Sequence, residues 1–205
     1  MYGNSQAGQT CVSVQRVFVE QGVADRFIPE LTAAVRDLPS GDVWDPATVV
    51  GPVISESAAD RVMTWIDEAV DAGATVLAGG SRAGTFIDPT LLANVSPHVK
   101  LSCEEVFGPV MSIQTIKDFD EGISLVNDSR FGLQTGVFTH DIQKIFRAHR
   151  ELDVGGVIIG DAPTFRADQM PYGGIKASGV GREGLRFAMQ DLTYDKVLVL
   201  TDLDL

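Results

Sequence analysis

Cysteine is scarce in this 205-residue sequence: Cys11 and Cys103 are the only two. Two thiols so far apart do not make the disulfide framework of a small secreted domain. Histidine is nearly as rare, and His98, His140 and His149 are scattered. None of them falls at zinc-ligand spacing with a cysteine, so no metal site is expected. Positive charge is also short. Sixteen Lys and Arg face 28 Asp and Glu, a net charge of −12. That argues against nucleic acid, whose phosphates need clustered cations, and against an anionic membrane surface. No apolar run approaches the roughly 20 residues that cross a bilayer. The start has no basic segment followed by an apolar core, as a secretory signal would. These absences predict a reduced, cytoplasmic protein, and the glycosylation-type triplets at Asn94 and Asn127 then carry no weight.

What is present is the patterning of an ordinary globular domain. Residues 12–20 (VSVQRVFVE) are β-branched and aromatic, and read as a strand. Residues 23–35 place Phe27, Ile28, Leu31 and Val35 at helical spacing. A Pro, Gly and Asp-rich loop over 39–53 leads to a helix at 55–71. Ser55 caps it, and Val62, Trp65, Ile66, Ala69 and Val70 form its apolar face. A short strand follows at 74–78. Residues 85–92 read as extended, and Pro89 favours an edge. From 110 the alternation is regular: a strand at 110–116, a helix at 118–127, a strand reaching 138, a helix at 141–152, and the strand VIIG. Such alternation predicts an α/β fold, a mostly parallel twisted sheet with flanking helices. A glycine-rich loop over 161–184, a helix near 185–190 and a strand at 196–200 complete the chain.

Two segments carry candidate chemistry. "GVGREG" (179–184) matches G-x-G-x-x-G, but the residues before it are no strand, so a phosphate cradle is rejected and a tight loop expected. Cys103, in LSCEEVFGPV, reads as a small hydrophobe or surface thiol. Cys11 differs. Small polar residues lead into it and a strand follows. A thiolate there can attack a carbonyl while its own backbone N–H stabilises the oxyanion. A buried, inert thiol is the other reading, and composition leaves both open.

The segments AGQTC, EEVFGPV, NDSRFGLQTGVFT and PYGGIKASGVGRE, in this order, resemble the aldehyde dehydrogenase superfamily. The flanks SVQRVFV, APTFRADQMPYGG and GREGLRFAMQDLT look most like the branch acting on lactaldehyde and small semialdehydes. The resemblance implies oxidation of a small aldehyde to a carboxylic acid with NAD or NADP. Cys11 would be the nucleophile, forming a thiohemiacetal and then a thioester. Glu105 would bind the nicotinamide ribose and Phe107 would pack near the nicotinamide ring. Glu183 would join a water or proton relay near the thiol, and Tyr172 would lie by the substrate channel. Each has a plain alternative: Glu105 a solvated carboxylate, Phe107 a core aromatic, Glu183 a charge favoured at a helix N-terminus. Arg166 suits an anionic substrate group, or a simple pairing with an acid such as Asp168. One local departure is Gly160, where the family usually has Asn.

The family's cofactor-binding Rossmann-type domain, with its general base and the other oxyanion donor, lies mostly before the cysteine. This sequence would therefore correspond to the catalytic domain at 1–192, followed by an oligomerisation strand and tail at 193–205. The expected partners are a small aldehyde, a separate N-terminal cofactor-binding half, and further copies of the chain in a homo-oligomer. The chain alone is expected to be inactive as a dehydrogenase. Two other readings stand beside this one: a non-enzymatic remnant that self-associates, and a standalone thiol esterase using Cys11.

Overall fold

The computed structural model describes residues 1–202. After the Cys11 turn, the β-branched run forms strand β1, Arg16–Glu20, which passes directly into helix α1, Gln21–Arg36. Ala24 and Val35 are its buried residues, while Phe27 turns partly outward. Helix α2, Glu56–Asp71, begins where Ser55 accepts a hydrogen bond from the Ala58 N–H at 3.1 Å. That cap satisfies one of the donors a helix start leaves open. Ala59, Val62, Ile66 and Ala69 are buried on one face, and Val70 is exposed beside them.

Strand β2, Thr75–Ala78, is followed by a small hairpin of β3, Arg82–Ala83, and β4, Phe86–Ile87. Then come β5, Thr90–Ala93, the one-turn helix α3, Lys100–Cys103, and β6, Val110–Ile116. The main sheet has the order β1-β6-β5-β2, with β6 parallel to both β1 and β5, and β2 antiparallel to β5. Leu91, Met111 and Ile113 join the core beneath α1, whereas Leu92 and Val110 join the core beneath α2. Successive side chains point to opposite faces of a strand, so a near-continuous apolar run is what a sheet covered on both faces requires. Strand β5 is interior, contrary to the edge position expected from Pro89. The proline sits one residue before the strand, so its missing N–H lies outside the ladder. Thr90 supplies the first donor instead, to the Pro109 carbonyl at 2.8 Å.

The alternating second half gives α4, Phe119–Asn127, capped by Asp118; β7, Phe131–Gly132; β8, Gln134–Val137; α5, Ile142–Glu151, capped by Asp141; and β9, Gly156–Ile159. β8 and β9 pair in parallel as a sheet of their own, and Ile123, Ala148 and Leu152 form a third core cluster. β10, Ile175–Lys176, pairs antiparallel with β7, and α6, Leu185–Asp191, follows. Parallel pairing thus dominates the α/β fold, as the alternation predicts, but it is shared between two sheets.

The strand expected at 196–200 does not form. Residues 193–200 have no regular structure, and Val197, Leu198, Val199 and Leu200 are exposed. A strand is held by a neighbour's ladder, and among the described residues none pairs with it. Residues 203–205, at the end of the expected tail, lie outside the described residues. No described helix is long and apolar enough to cross a membrane.

Candidate active site

The turn that carries Cys11 is held by close backbone contact and by two glutamines. Gly8 has φ +68, and a Cβ there would overlap the Gly108 carbonyl. Only glycine allows both that conformation and that approach. The Gln9 side chain accepts from the Ile54 N–H at 2.9 Å and donates to the Gln6 carbonyl at 3.1 Å. The Gln15 side chain donates to the carbonyls of Leu101 and Glu104, at 3.0 and 2.6 Å, and accepts from the Val106 N–H at 3.0 Å. Gln15 and the Gly8 contact bind the Cys11 segment to the strap 104–108, while Gln9 ties it to the loop before α2.

Cys11 is exposed, and its Sγ lies 3.2 Å from the Tyr172 hydroxyl. Its backbone N–H donates to no acceptor among the described residues. Tyr172 is 7% exposed. Burial above all, and then the hydrogen bond with Cys11, push its hydroxyl pKa well above the ordinary range; nearby Arg166 acts the other way. At neutral pH the phenol keeps its proton, so it is a donor to a thiolate at Cys11. The Arg166 guanidinium stacks over the Tyr172 ring at 4.4 Å and donates to a Glu183 carboxylate oxygen at 2.8 Å. Tyr172 and Glu183 also exchange two backbone hydrogen bonds, at 3.1 and 2.6 Å.

The structure therefore brings Cys11, Tyr172, Arg166 and Glu183 together. The Glu183 carboxylate rests on Arg166 and makes no hydrogen bond to the thiol. Arg166 does pair with an acid, but the partner is Glu183 and not Asp168. Backbone pairing with Tyr172 sets this arrangement, which no local spacing encodes. Glu105 and Phe107 stand on the adjacent strap and, among the described residues, make no hydrogen bond to Cys11. Glu105 is largely exposed, and the partial desolvation it does suffer raises its carboxyl pKa. Phe107 is 40% exposed and holds φ 46, unusual for an aromatic residue and a mark of a constrained position. Residues 179–184 form a loop ahead of α6, not a strand-to-helix turn. Cys103 is exposed, its sulfur 4.0 Å from the His98 carbonyl. Gly160 has φ +77 with open space around it. That left-handed backbone also suits Asn.

Sequence reasoning missed Gln9 and Gln15 as positioning residues. Gln15 shows only as a polar side chain within the β-branched run and Gln9 only as part of the approach to Cys11, and the partners at 54 and at 101–106 lie far off in the chain.

Fold and site together define an α/β domain that presents one accessible thiol, backed by a neutral phenol and a stacked cation, just ahead of its first strand. The chain belongs to the aldehyde dehydrogenase family, whose model matches residues 3–198. It is 44% identical over 196 residues to a 3-sulfolactaldehyde dehydrogenase from Priestia aryabhattai, covering 96% of this chain and 41% of that protein. Aldehyde dehydrogenase 21 from Physcomitrella patens, solved with the reaction product succinate, superposes with a TM-score of 0.97 at 41% identity. That match covers 99% of this chain and 42% of the other. An NADP-dependent glyceraldehyde-3-phosphate dehydrogenase from Bacillus halodurans, solved with NADP, superposes with a TM-score of 0.91 at 38% identity, covering 97% and 42%. The chain thus spans about two fifths of the length of the relatives it matches.

Proposed function

We propose that this chain is the cysteine-bearing catalytic portion of an NAD(P)+-dependent aldehyde dehydrogenase for a small aldehyde or semialdehyde bearing an anionic group. The observation that carries the reading is Cys11 itself: an accessible Sγ 3.2 Å from a buried phenol, with its own N–H unused. The Cys11 thiolate adds to the aldehyde carbon, and the carbonyl oxygen becomes the oxyanion of a thiohemiacetal. The Cys11 N–H donates to that oxyanion, the kind of donor worth about 10²–10³-fold in rate. NAD(P)+, when bound, supplies the hydride acceptor. With the hydride gone, Cys11 Sγ carries a thioester. Water cleaves it to the carboxylic acid and returns the thiol. Tyr172 donates to the sulfur while it is anionic, and Arg166 holds the far, anionic end of the substrate. The names of the relatives support that choice of substrate class.

The residues present fit one end of the cofactor. The Glu105 carboxylate suits sugar hydroxyls, and the exposed Phe107 ring suits a flat heterocycle. No glycine-rich strand-to-helix turn for a diphosphate occurs among the described residues. A relay role for Glu183 requires its carboxylate to leave Arg166.

The chain alone is therefore expected to give little NADH or NADPH from a short anionic aldehyde, and to turn over once a cofactor-binding half is added. A spectrophotometric assay of the chain with and without that half checks this. Absence of turnover with every competent half would refute the reading. The exposed apolar stretch Val197–Leu200 supports homo-oligomer formation through the tail. Truncation after Leu192 is expected to shift the sedimentation profile to a smaller species, and an unchanged profile would remove the tail from the interface.

A further inference from the structure

We infer that Glu183 is the resident counter-ion of Arg166, and that the anionic group of the substrate must take its place there. The inference rests on the reading of Arg166 as the substrate's anchor. One face of the guanidinium is covered by the Tyr172 ring, at 4.4 Å, so binding is left to its edge. That edge already donates through Nη2 to Glu183 at 2.8 Å. The contact is firmly placed, because Glu183 is tied to Tyr172 by two backbone hydrogen bonds. It is also weak. The Arg166 and Glu183 side chains are 47% and 65% exposed, and exposed pairs hold only about two- to five-fold in an equilibrium constant.

A carboxylate, sulfonate or phosphate entering the site can accept two parallel N–H bonds from the guanidinium edge and displace one carboxylate oxygen. A neutral aldehyde has nothing to exchange, and leaves the pair closed. Glu183 thus acts as a specificity-determining residue: it keeps Arg166 neutralised until an anion arrives, and lowers the affinity of every anion by its own competition. The exchange also frees its carboxylate beside Tyr172, whose phenol touches Cys11.

The test uses the 205-residue chain and succinate as the probe. Protection of Cys11 from iodoacetamide is titrated and read by peptide mass spectrometry. Cys103 alkylation in the same sample is the internal control. Glu183→Gln is expected to lower the half-protecting concentration by about two- to five-fold. Arg166→Gln is expected to raise it by about tenfold or more. The double variant is expected to match Arg166→Gln, because there is then no cation to compete for. If Glu183→Gln leaves the value unchanged while Arg166→Gln raises it, the exchange is wrong and the anchor stands. Tightening that persists without Arg166 would mean general charge repulsion, and would also overturn the exchange. If succinate fails to protect, or protects Arg166→Gln as well as the parent chain, the anchor reading falls and this inference with it.

Discussion

Replacing Cys11 with alanine is expected to lower aldehyde turnover by at least about 10⁴-fold, because removal of a covalent nucleophile leaves only binding and oxyanion stabilisation. The measurement is NADH or NADPH formation by the chain combined with a cofactor-binding half. Cys103→Ala is the companion variant. Its sulfur touches only a carbonyl, at the 4.0 Å limit of a contact, and its turnover is expected to stay at the parent rate. Loss of turnover in both variants would point to damage rather than chemistry, and survival of turnover in Cys11→Ala would remove the thiol from the reaction. The same variant settles the esterase alternative. Hydrolysis of an activated ester by the chain alone must disappear with Cys11 if that reading holds.

Gly8→Ala is expected to be the most damaging small change in the Cys11 turn. The added Cβ would overlap the Gly108 carbonyl, which is backbone and cannot swing aside, and φ +68 is itself strained for alanine. Overpacking and a positive φ each cost on the order of 1–3 kcal/mol. A combined loss of about 3 kcal/mol would lower Tm by roughly 6–12 °C in a chain this long. Thermal denaturation measures it. Iodoacetamide labelling of Cys11 is expected to change as well, since the turn must move off the strap that holds Glu105 and Phe107. A melting temperature within about 2 °C of the parent would show that the turn relaxes freely.

Much of this domain is written locally. Ser55, Asp118 and Asp141 each stand where a helix begins, and each caps it through a hydrogen bond spanning two or three residues. The strand Val110–Ile116, rich in apolar and β-branched residues, forms with its predicted bounds. Cys11 and its Gly-Gln approach were legible as candidate chemistry, and the ordered set of segments pointed to the family. Other features depend on who the neighbour is. The interior place of β5 despite Pro89 depends on β6 and β2 meeting it from both sides. The loss of the strand at 196–200 reflects the lack, among the described residues, of a ladder to join.

The site divides in the same way. Cys11, Tyr172, Arg166 and Glu183 were each legible as residue types in recognisable segments. Their pairing was not. The contact from Cys11 to Tyr172 spans 161 positions, and Arg166 chose Glu183 over Asp168 because a two-residue backbone bridge carries Glu183 to Tyr172. The clasp of Gln15 on Glu104 and Val106 likewise joins segments about ninety positions apart in sequence. Caps, periodicity and turn residues act over one helical turn or one strand, so the sequence alone determined the longer helices, most of the main strands and the family. Contacts across the chain are selected only when those elements pack, so the tertiary structure decided which acid meets the arginine, which phenol meets the thiol, and which strands find a partner.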